Sequence, residues 1–218
     1  MESVRKNLNF NSLKLVKSHN THRFHQAVHS IEPYFLWRDY YTAETDEKSP
    51  FFGREYSEFE YSNTIYNYYI HPQWDDIGSP TMYIKILFAD YDKGYCILEL
   101  MGEWNDAITN DVMFLKRDIV DPLIEQGISK FILIGENILN FHGSDDCYYE
   151  EWYDDVNDRD GYVVFLNFRD HVVDEMHRSR LHYYVNMGER YNEIDWRTVK
   201  PFHMHKLVES LMMKRLSE

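Results

Sequence analysis

The protein has 218 residues and a formal net charge of −14, and 44% of its residues are hydrophobic. This composition is sufficient for a packed core and excludes a wholly disordered chain. The acidic balance argues against general nucleic-acid binding, because displacing the counterions of a nucleic acid requires a positive protein surface.

The sequence also predicts a cytoplasmic protein with no membrane partner. Its first residues lack the continuous apolar stretch of a signal peptide, and no run approaches transmembrane length. Cys96 and Cys147, the only cysteines, stand in unrelated surroundings and do not form the pattern of a disulfide framework. We therefore expect a soluble chain in a reducing compartment.

Residues 1–30 are basic, whereas the rest of the chain is strongly acidic. They carry five basic groups and one acid, a balance of +4, so the remainder carries −18. A basic arm beside an acidic body favours packing onto that body or onto a second copy, and hence a homo-oligomer. His22, His25 and His29 would share one face of a helix, which suits a zinc site, although a solvated helix is the commoner meaning of this pattern.

Residues 34–74 are dense in aromatic side chains. Glutamates stand between them instead of lysines and arginines, which argues against a stacking platform for single-stranded nucleic acid. An aromatic layer that covers one side of a sheet is the favoured interpretation. Phe59, Tyr61 and Ile65 alternate as in a half-buried strand.

Gly78-Ser79-Pro80 marks a break in the pattern and is the predicted seam of the molecule. We therefore predict an N-terminal extension over residues 1–80 and a core domain over residues 81–218. Whether the extension joins the sheet of the core domain is left open.

The core domain opens with a predicted β-hairpin. Residues 82–89 and 95–102 are two apolar runs of strand length, and Gly94 lies in the turn between them. Residues 105–127 then predict an amphipathic helix, and Pro122 predicts a kink within it. The apolar positions of this helix are Ile108, Val112, Leu115, Ile119 and Leu123.

The later elements alternate between strand and helix patterns. They are a strand at 131–135, a polar loop that turns at Glu136-Asn137, a helix within 145–158, a strand at 162–168, a helix after Arg169, a strand at 182–187 and a C-terminal helix that starts near Asp195 or Thr198. This alternation predicts an α/β fold in which a mixed β-sheet is covered by helices.

Two local features carry a resemblance to a known family. The stretch ILELMGEWNDAI places Gly102, Glu103 and Asp106 at a strand-to-helix junction that is similar to the Gly-Glu-x-Asp junction of that family, and a later loop delivers Ser144 to a helix start. Across residues 82–180 the chain thus resembles the STAS domain, the fold of bacterial anti-sigma-factor antagonists. The resemblance implies a regulatory module with a protein partner, in which Ser144 is the phosphorylated residue.

The loop around Ser144 departs from the family pattern. The family has Asp-Ser-Ser-Gly, whereas this chain has His142-Gly143-Ser144-Asp145. Asp145 and Asp146 would repel an added phosphate, while a helix N-terminus at this place would attract one. Phosphorylation of Ser144 is therefore a hypothesis.

Polar residues follow several of the predicted strands, at the sheet edge where α/β proteins bind ligands. The regulatory or ligand-binding candidates are Glu136, Asn137, His142, Ser144, Asp145, Asp146, Arg169 and Asp170. His142, Asp145 and Asp146 can together ligate a divalent metal, the one cofactor suggested at this edge, or His142 can act as a general base. A solvated acidic face accounts for the same carboxylates.

The sequence favours a non-enzymatic regulatory or protein-interaction module that acts through the loop around Ser144 and the acidic segment after it. Two alternatives stay open. One is a metal-dependent or acid/base hydrolytic enzyme that uses His142, Asp145 and Asp146, and the other is a structural homo-oligomer. An enzyme is the less favoured class, because the chain has no phosphate-binding loop, dinucleotide fingerprint or G-x-S-x-G elbow.

Overall fold

The computed structural model describes residues 27–28 and 31–216. The strands of this part of the chain are β1 (Ala27–Val28), β2 (Thr64–Ile65), β3 (Tyr68–Tyr69), β4 (Asp75–Asp76), β5 (Met82–Asp90), β6 (Tyr95–Asn105), β7 (Lys130–His142) and β8 (Tyr162–Leu166). The α-helices are α1 (Asp111–Phe114), α2 (Asp121–Glu125), α3 (Cys147–Asn157), α4 (Asp170–Arg178) and α5 (Pro201–Leu216).

The main sheet is mixed, with strand order β4-β5-β6-β7-β8. The β4–β5 and β5–β6 pairs are antiparallel, whereas the β6–β7 and β7–β8 pairs are parallel. The predicted hairpin is confirmed as β5 and β6, and the predicted mixed sheet with helices around it is confirmed as the fold class. A small second sheet has the order β1-β3-β2.

Both faces of the main sheet are buried, which explains why its strands are almost continuously apolar. On the first face, Leu98 and Leu133 pack in a core that includes side chains from the helical stretch 111–125, α3 and α4. On the second face, Ile97 and Ile132 pack in a separate core with Trp196 and with Met204 of α5. The functional site described below continues this second face.

The chain before residue 81 takes part in the main sheet and in both cores. β4 is an edge strand of the sheet, Ala43 lies in the first core, and Trp37 lies in the second core with its ring centroid 5.4 Å from that of Trp196. The expected aromatic layer thus covers the second face in part, although Phe35 and Phe59 are exposed. The division of the chain at residue 80 stays a prediction.

The helix predicted over residues 105–127 starts later than expected. Ile108 lies in a turn with 83% of its surface exposed, and α1 begins at Asp111. Asp106 nevertheless contributes to the helix start, since its Oδ1 accepts the Val112 N–H at 2.8 Å. The irregularity expected at Pro122 is a π-helical segment, Leu115–Val120, directly before α2. Proline lacks the N–H of a regular helical bond, and a π turn is one way to accommodate that loss.

Two predicted strands are wrong in whole or in part. Leu181–Tyr183 is a short 3-10 helix, and only Asn186 of the predicted strand 182–187 bridges to β8. The strand expected from Phe59 onward is restricted to β2, at Thr64–Ile65. Both segments contain aromatic and β-branched residues, which favour strands, but both lie at the margin of the sheet. There, packing decides the conformation more than propensity does. The helices predicted after residues 145, 169 and 198 are confirmed as α3, α4 and α5.

Candidate functional site

β7 is longer than its neighbour β8, and the difference creates an edge at the carboxyl ends of the parallel strands. The β7–β8 pairing ends at Ile134↔Leu166, whereas β7 stays paired with β6 as far as His142. The turn predicted at Glu136-Asn137 is therefore wrong, because the chain continues as a strand through both residues. Open α/β sheets bind ligands at this edge.

A bulge turns two adjacent polar side chains of β7 to the same face. The β6–β7 register shifts between Glu99/Ile134 and Met101/Asn137, so an extra residue of β7 stands opposite Leu100. Side chains normally alternate between faces, and a bulge interrupts that alternation. As a result, Glu136 contacts Trp196 and Asn137 contacts Glu99.

Next to these residues lies an apolar cleft of about 350 Å³. Met101 and Gly102 of β6 and Leu139 of β7 belong to the main sheet, and the β2–β3 hairpin forms the opposite wall with Ile65 and Tyr66. The residues around the cleft are Ile31, Ile65, Tyr66, Tyr68, Ile70, Met101, Gly102, Glu103, Asn137, Leu139 and Arg169. An apolar cavity with a few polar groups is the usual form of a small-molecule site.

The polar groups of the cleft differ in the hydrogen bonds and ion pairs that they already make within the protein. Both carboxylate oxygens of Glu103 accept hydrogen bonds, one from the Tyr66 hydroxyl at 2.7 Å and one from Asn140 Nδ2 at 3.0 Å. Arg169 is exposed and donates from Nε to the Glu136 carbonyl oxygen at 3.4 Å. Among residues 31–216, Arg169 has no carboxylate partner.

Glu99 lies behind the cleft and is 1% exposed. Its carboxylate accepts the Tyr34 backbone N–H at 2.8 Å and Asn137 Nδ2 at 3.3 Å. The pKa of Glu99 is raised to about 7, chiefly by burial and also by the charge of Glu136, while the Tyr34 N–H and Arg197 act in the opposite direction. Glu99 therefore changes its charge near neutral pH.

Glu136 has a lowered pKa, in contrast to Glu99. Its Oε1 accepts hydrogen bonds from Asn167 Nδ2 at 2.9 Å and Trp196 Nε1 at 2.8 Å, and its Oε2 pairs with Arg197 at 2.6 Å. Burial alone would raise the pKa of Glu136, but these donors outweigh burial and lower it. Glu99, which retains its proton up to near-neutral pH, and Glu136, which is ionised, thus lie side by side on the second face.

The loop around Ser144 follows the carboxyl end of β7, beyond Glu136 and the cleft. Ser144 and Asp145 are exposed, and Asp146 is the residue directly before α3. The Asp146 carboxylate accepts the Tyr184 hydroxyl at 2.9 Å. The structure thus puts Asn137 and Arg169 at the cleft and Glu136 beside it, whereas the Ser144 loop forms a separate surface. Asp170 begins α4, next to Arg169.

The candidate metal ligands His142, Asp145 and Asp146 do not form a compact group. Among the residues that the structure describes, the one set of three with ligand atoms within 4.8 Å of one another is Asp121, Glu151 and Asp155. The buried Lys116 ammonium lies 2.8 Å from Asp155 and 3.3 Å from Glu151 and also pairs with Asp121. This second set is an ion-pair network around a lysine. A divalent metal at His142 stays a prediction.

His22, His25 and His29 lie outside the described residues. A scan of the chain against models of known protein families finds no match, and a search of curated proteins finds no similar one. Over residues 31–216, none of the helices combines the length and the apolar character that a membrane crossing needs.

Several residues of the site escaped prediction from the sequence. Glu99 and Met101 belong to β6, and Tyr66 belongs to a hairpin that the alternating pattern did not locate. Glu99 did leave a signal, since it is a single carboxylate within the apolar run YCILELM. A charged residue inside a buried strand has to be paired or to change its pKa, and either outcome marks a position of interest.

Proposed function

We propose that the protein is a non-enzymatic binding module that holds a small, partly apolar molecule in the cleft between β7 and the β2–β3 hairpin. The observation that carries this proposal is an apolar cleft at the carboxyl ends of the parallel strands, with the guanidinium of Arg169 in its lining and no carboxylate paired with that guanidinium among residues 31–216. Apolar walls supply binding free energy, and a small number of polar groups fix the orientation of the ligand.

The neighbouring acids support binding more than catalysis. A general acid or base must come within hydrogen-bond reach of its substrate. Glu99 is 1% exposed behind Asn137, and Glu136 already accepts hydrogen bonds from Asn167 and Trp196 and pairs with Arg197. Neither acid is among the residues that surround the cleft.

A neutral fluorescent probe, N-phenylnaphthylamine, tests the proposal without depending on charge. The unaltered protein should bind it at one saturable site, seen as a rise in fluorescence on titration. Leu139→Trp should weaken this binding at least tenfold, because Leu139 is 43% exposed at the cleft and a larger ring there fills the space that a ligand needs.

Ile108→Trp is the matched control, since Ile108 is 83% exposed and is not among the residues around the cleft. It should bind the probe like the unaltered protein. Equal loss in both variants, or no saturable binding to the unaltered protein, would show that the cleft does not hold apolar molecules.

Protein interaction at the Ser144 loop is a second candidate function. It is favoured by the exposure of Ser144 and Asp145 and by the course of β7, which runs from the cleft at Asn137 to this loop. Occupancy of the cleft and binding of a partner protein would then both act on the second half of β7 and the loop that follows it. Regulation of a partner by a small molecule is the combined function that these two surfaces support.

Phosphorylation of Ser144 is tested by the intact mass of protein purified from its own host. The unaltered chain should carry the added mass of one phosphate, and Ser144→Ala should lack it. Ser210→Ala, at an exposed serine of α5, should keep it. An unmodified chain, or a phosphate that persists in Ser144→Ala, would contradict the role that the STAS resemblance implies for this residue.

A further inference from the structure

We infer that the ligand of the cleft is an amphipathic carboxylic acid, with its carboxylate on the guanidinium of Arg169 and its apolar chain along β7. This inference rests on the proposed binding function and specifies the chemical class of the ligand. It follows from the availability of Arg169, from the bonds that Glu136 and Glu103 already make to other groups and from the charges at the two ends of the cleft.

Most N–H donors of the Arg169 guanidinium have no partner among the described residues. Its backbone is extended at φ −65° and ψ 145°, directly before α4, and its side chain makes no capping bond to that helix. Nε donates to the Glu136 carbonyl oxygen at 3.4 Å, while the two Nη groups have no hydrogen-bond partner among the described residues. A guanidinium carries five N–H donors in a planar fork that matches the two oxygens of a carboxylate.

The carboxylates of Glu136 and Glu103, on the two strands beside the cleft, already bind other groups, and Asp170, next to Arg169 in the chain, makes no ion pair with it among the described residues. The carboxylate of Glu136 pairs with Arg197 at 2.6 Å, although the carbonyl oxygen of the same residue contacts Arg169. Each carboxylate oxygen of Glu103 accepts one hydrogen bond, from Tyr66 and Asn140 respectively. Among residues 31–216 no carboxylate pairs with Arg169, so its positive charge is available to an anionic ligand.

The opposite end of the cleft is negative, which gives a bound molecule a direction. Arg169 contacts the backbone of Glu136, and Glu103 contacts Asn140. At about 3.3 Å per strand residue, these two points of β7 are roughly 13 Å apart. An anionic group is repelled at the Glu103 end and attracted at the Arg169 end.

The surface between these ends is apolar. Met101, Leu139 and Ile65 line it, so a ligand that spans the cleft needs an apolar body. An aliphatic or aromatic chain with a terminal carboxylate satisfies the lining and the charge together. A polar anion such as phosphate would make no contact with the apolar wall. A molecule with a terminal amine would be repelled by Arg169 and attracted to the Glu103 end instead.

Isothermal titration calorimetry with decanoate, decanol and decylamine tests the inference, because the three probes share a chain and differ in charge. We expect decanoate to bind at one site and at least tenfold more tightly than decanol or decylamine. Arg169→Gln should remove this preference and leave decanol binding unchanged. Arg178→Gln, an exposed position at the other end of α4, should bind all three probes like the unaltered protein.

The outcomes separate the two proposals. If decanol or decylamine binds as tightly as decanoate, or if Arg169→Gln keeps the preference, the carboxylate assignment is wrong and the cleft remains a binding site for other molecules. The same conclusion follows if none of the three binds while N-phenylnaphthylamine does. If no probe binds at all, the assignment and the proposed function fail together.

Discussion

Glu99 combines almost complete burial with a position between a carboxylate and a guanidinium. Its neighbours in β6, Leu98 and Leu100, are fully buried. Burial disfavours the ionised form, Glu136 adds repulsion, and Arg197 offsets only part of both effects. The residue therefore takes up a proton on folding in the range where the unfolded chain has released it.

This proton uptake predicts a pH-dependent effect of Glu99→Gln. The pKa of Glu99 rises from 4.5 to about 7 on folding, so the buried charge costs stability as the pH increases between these values. Glutamine resembles the protonated acid and avoids that cost. The free energy of unfolding of the variant, relative to the unaltered protein, should therefore increase by on the order of 3 kcal/mol across this range.

Urea unfolding of both proteins at a series of pH values measures the difference. Asp106 also has a raised pKa, about 6, but it is present in both proteins and its effect cancels. Glu60→Gln, at an exposed position, should run parallel to the unaltered protein. A Glu99→Gln curve that is equally parallel would show that Glu99 titrates in its ordinary range.

Gly102 lies where β6, the segment before β5 and the β2–β3 hairpin come close together. Gly102 has φ +112°, and a Cβ built on it would lie 2.1 Å from the Thr81 carbonyl oxygen and 2.8 Å from Ile65 Cδ1. The same Thr81 oxygen accepts the Glu103 N–H at 2.8 Å. Glycine at this place thus permits the close approach of β6 to the segment before β5 and to the hairpin.

Gly102→Ala should therefore destabilise the protein and displace the hairpin wall of the cleft. Gly127→Ala is the matched control, because Gly127 has φ +94° and no atom within 4 Å of a built Cβ. The control should cost about 1–3 kcal/mol from backbone strain alone. Gly102→Ala should cost a further 1–3 kcal/mol from the contact with Thr81, measured by urea unfolding, and should weaken the binding of N-phenylnaphthylamine. Equal losses in the two variants would mean that the hairpin does not depend on Gly102.

β7 shows how one element joins the two candidate surfaces. Its first half is a buried strand between β6 and β8, and its second half, beyond Ile134, keeps only the β6 partner. Arg169 and His171 reach that free edge, the latter with Nε2 at 2.8 Å from the Leu139 carbonyl oxygen. The bulges of this half provide the side-chain directions that the cleft requires.

At the scale of the whole molecule, the sheet draws on segments that are distant in the sequence. Trp37, from the aromatic N-terminal region, packs at 5.4 Å from Trp196, from the segment before α5. Tyr34 joins the same cluster at 4.8 Å from Trp196 and also supplies the N–H that Glu99 accepts. The second face, with buried Glu99 and half-buried Glu136, is therefore formed by segments from both parts of the described chain. The STAS resemblance covers residues 82–180 and stays a prediction for that part.

The sequence by itself determined the fold class and most of the elements. Long apolar runs such as residues 82–89 and 131–135 identify strands, and the periodicity of residues after 201 identifies a helix, because burial imposes these periods directly on the residues. Of the cleft, the sequence predicted Asn137 and Arg169, since polar residues near the carboxyl ends of parallel strands share an edge.

Only the tertiary structure decided the rest of the site. The length of β7, the bulge at Glu136 and the pairing of Glu99 with Tyr34 depend on which strands become neighbours and how far they overlap. Local sequence carries no record of register, because register is a relation between residues far apart in the chain. The cleft exists for the same reason, since the hairpin that contains Tyr66 reaches Glu103 across 37 residues of sequence.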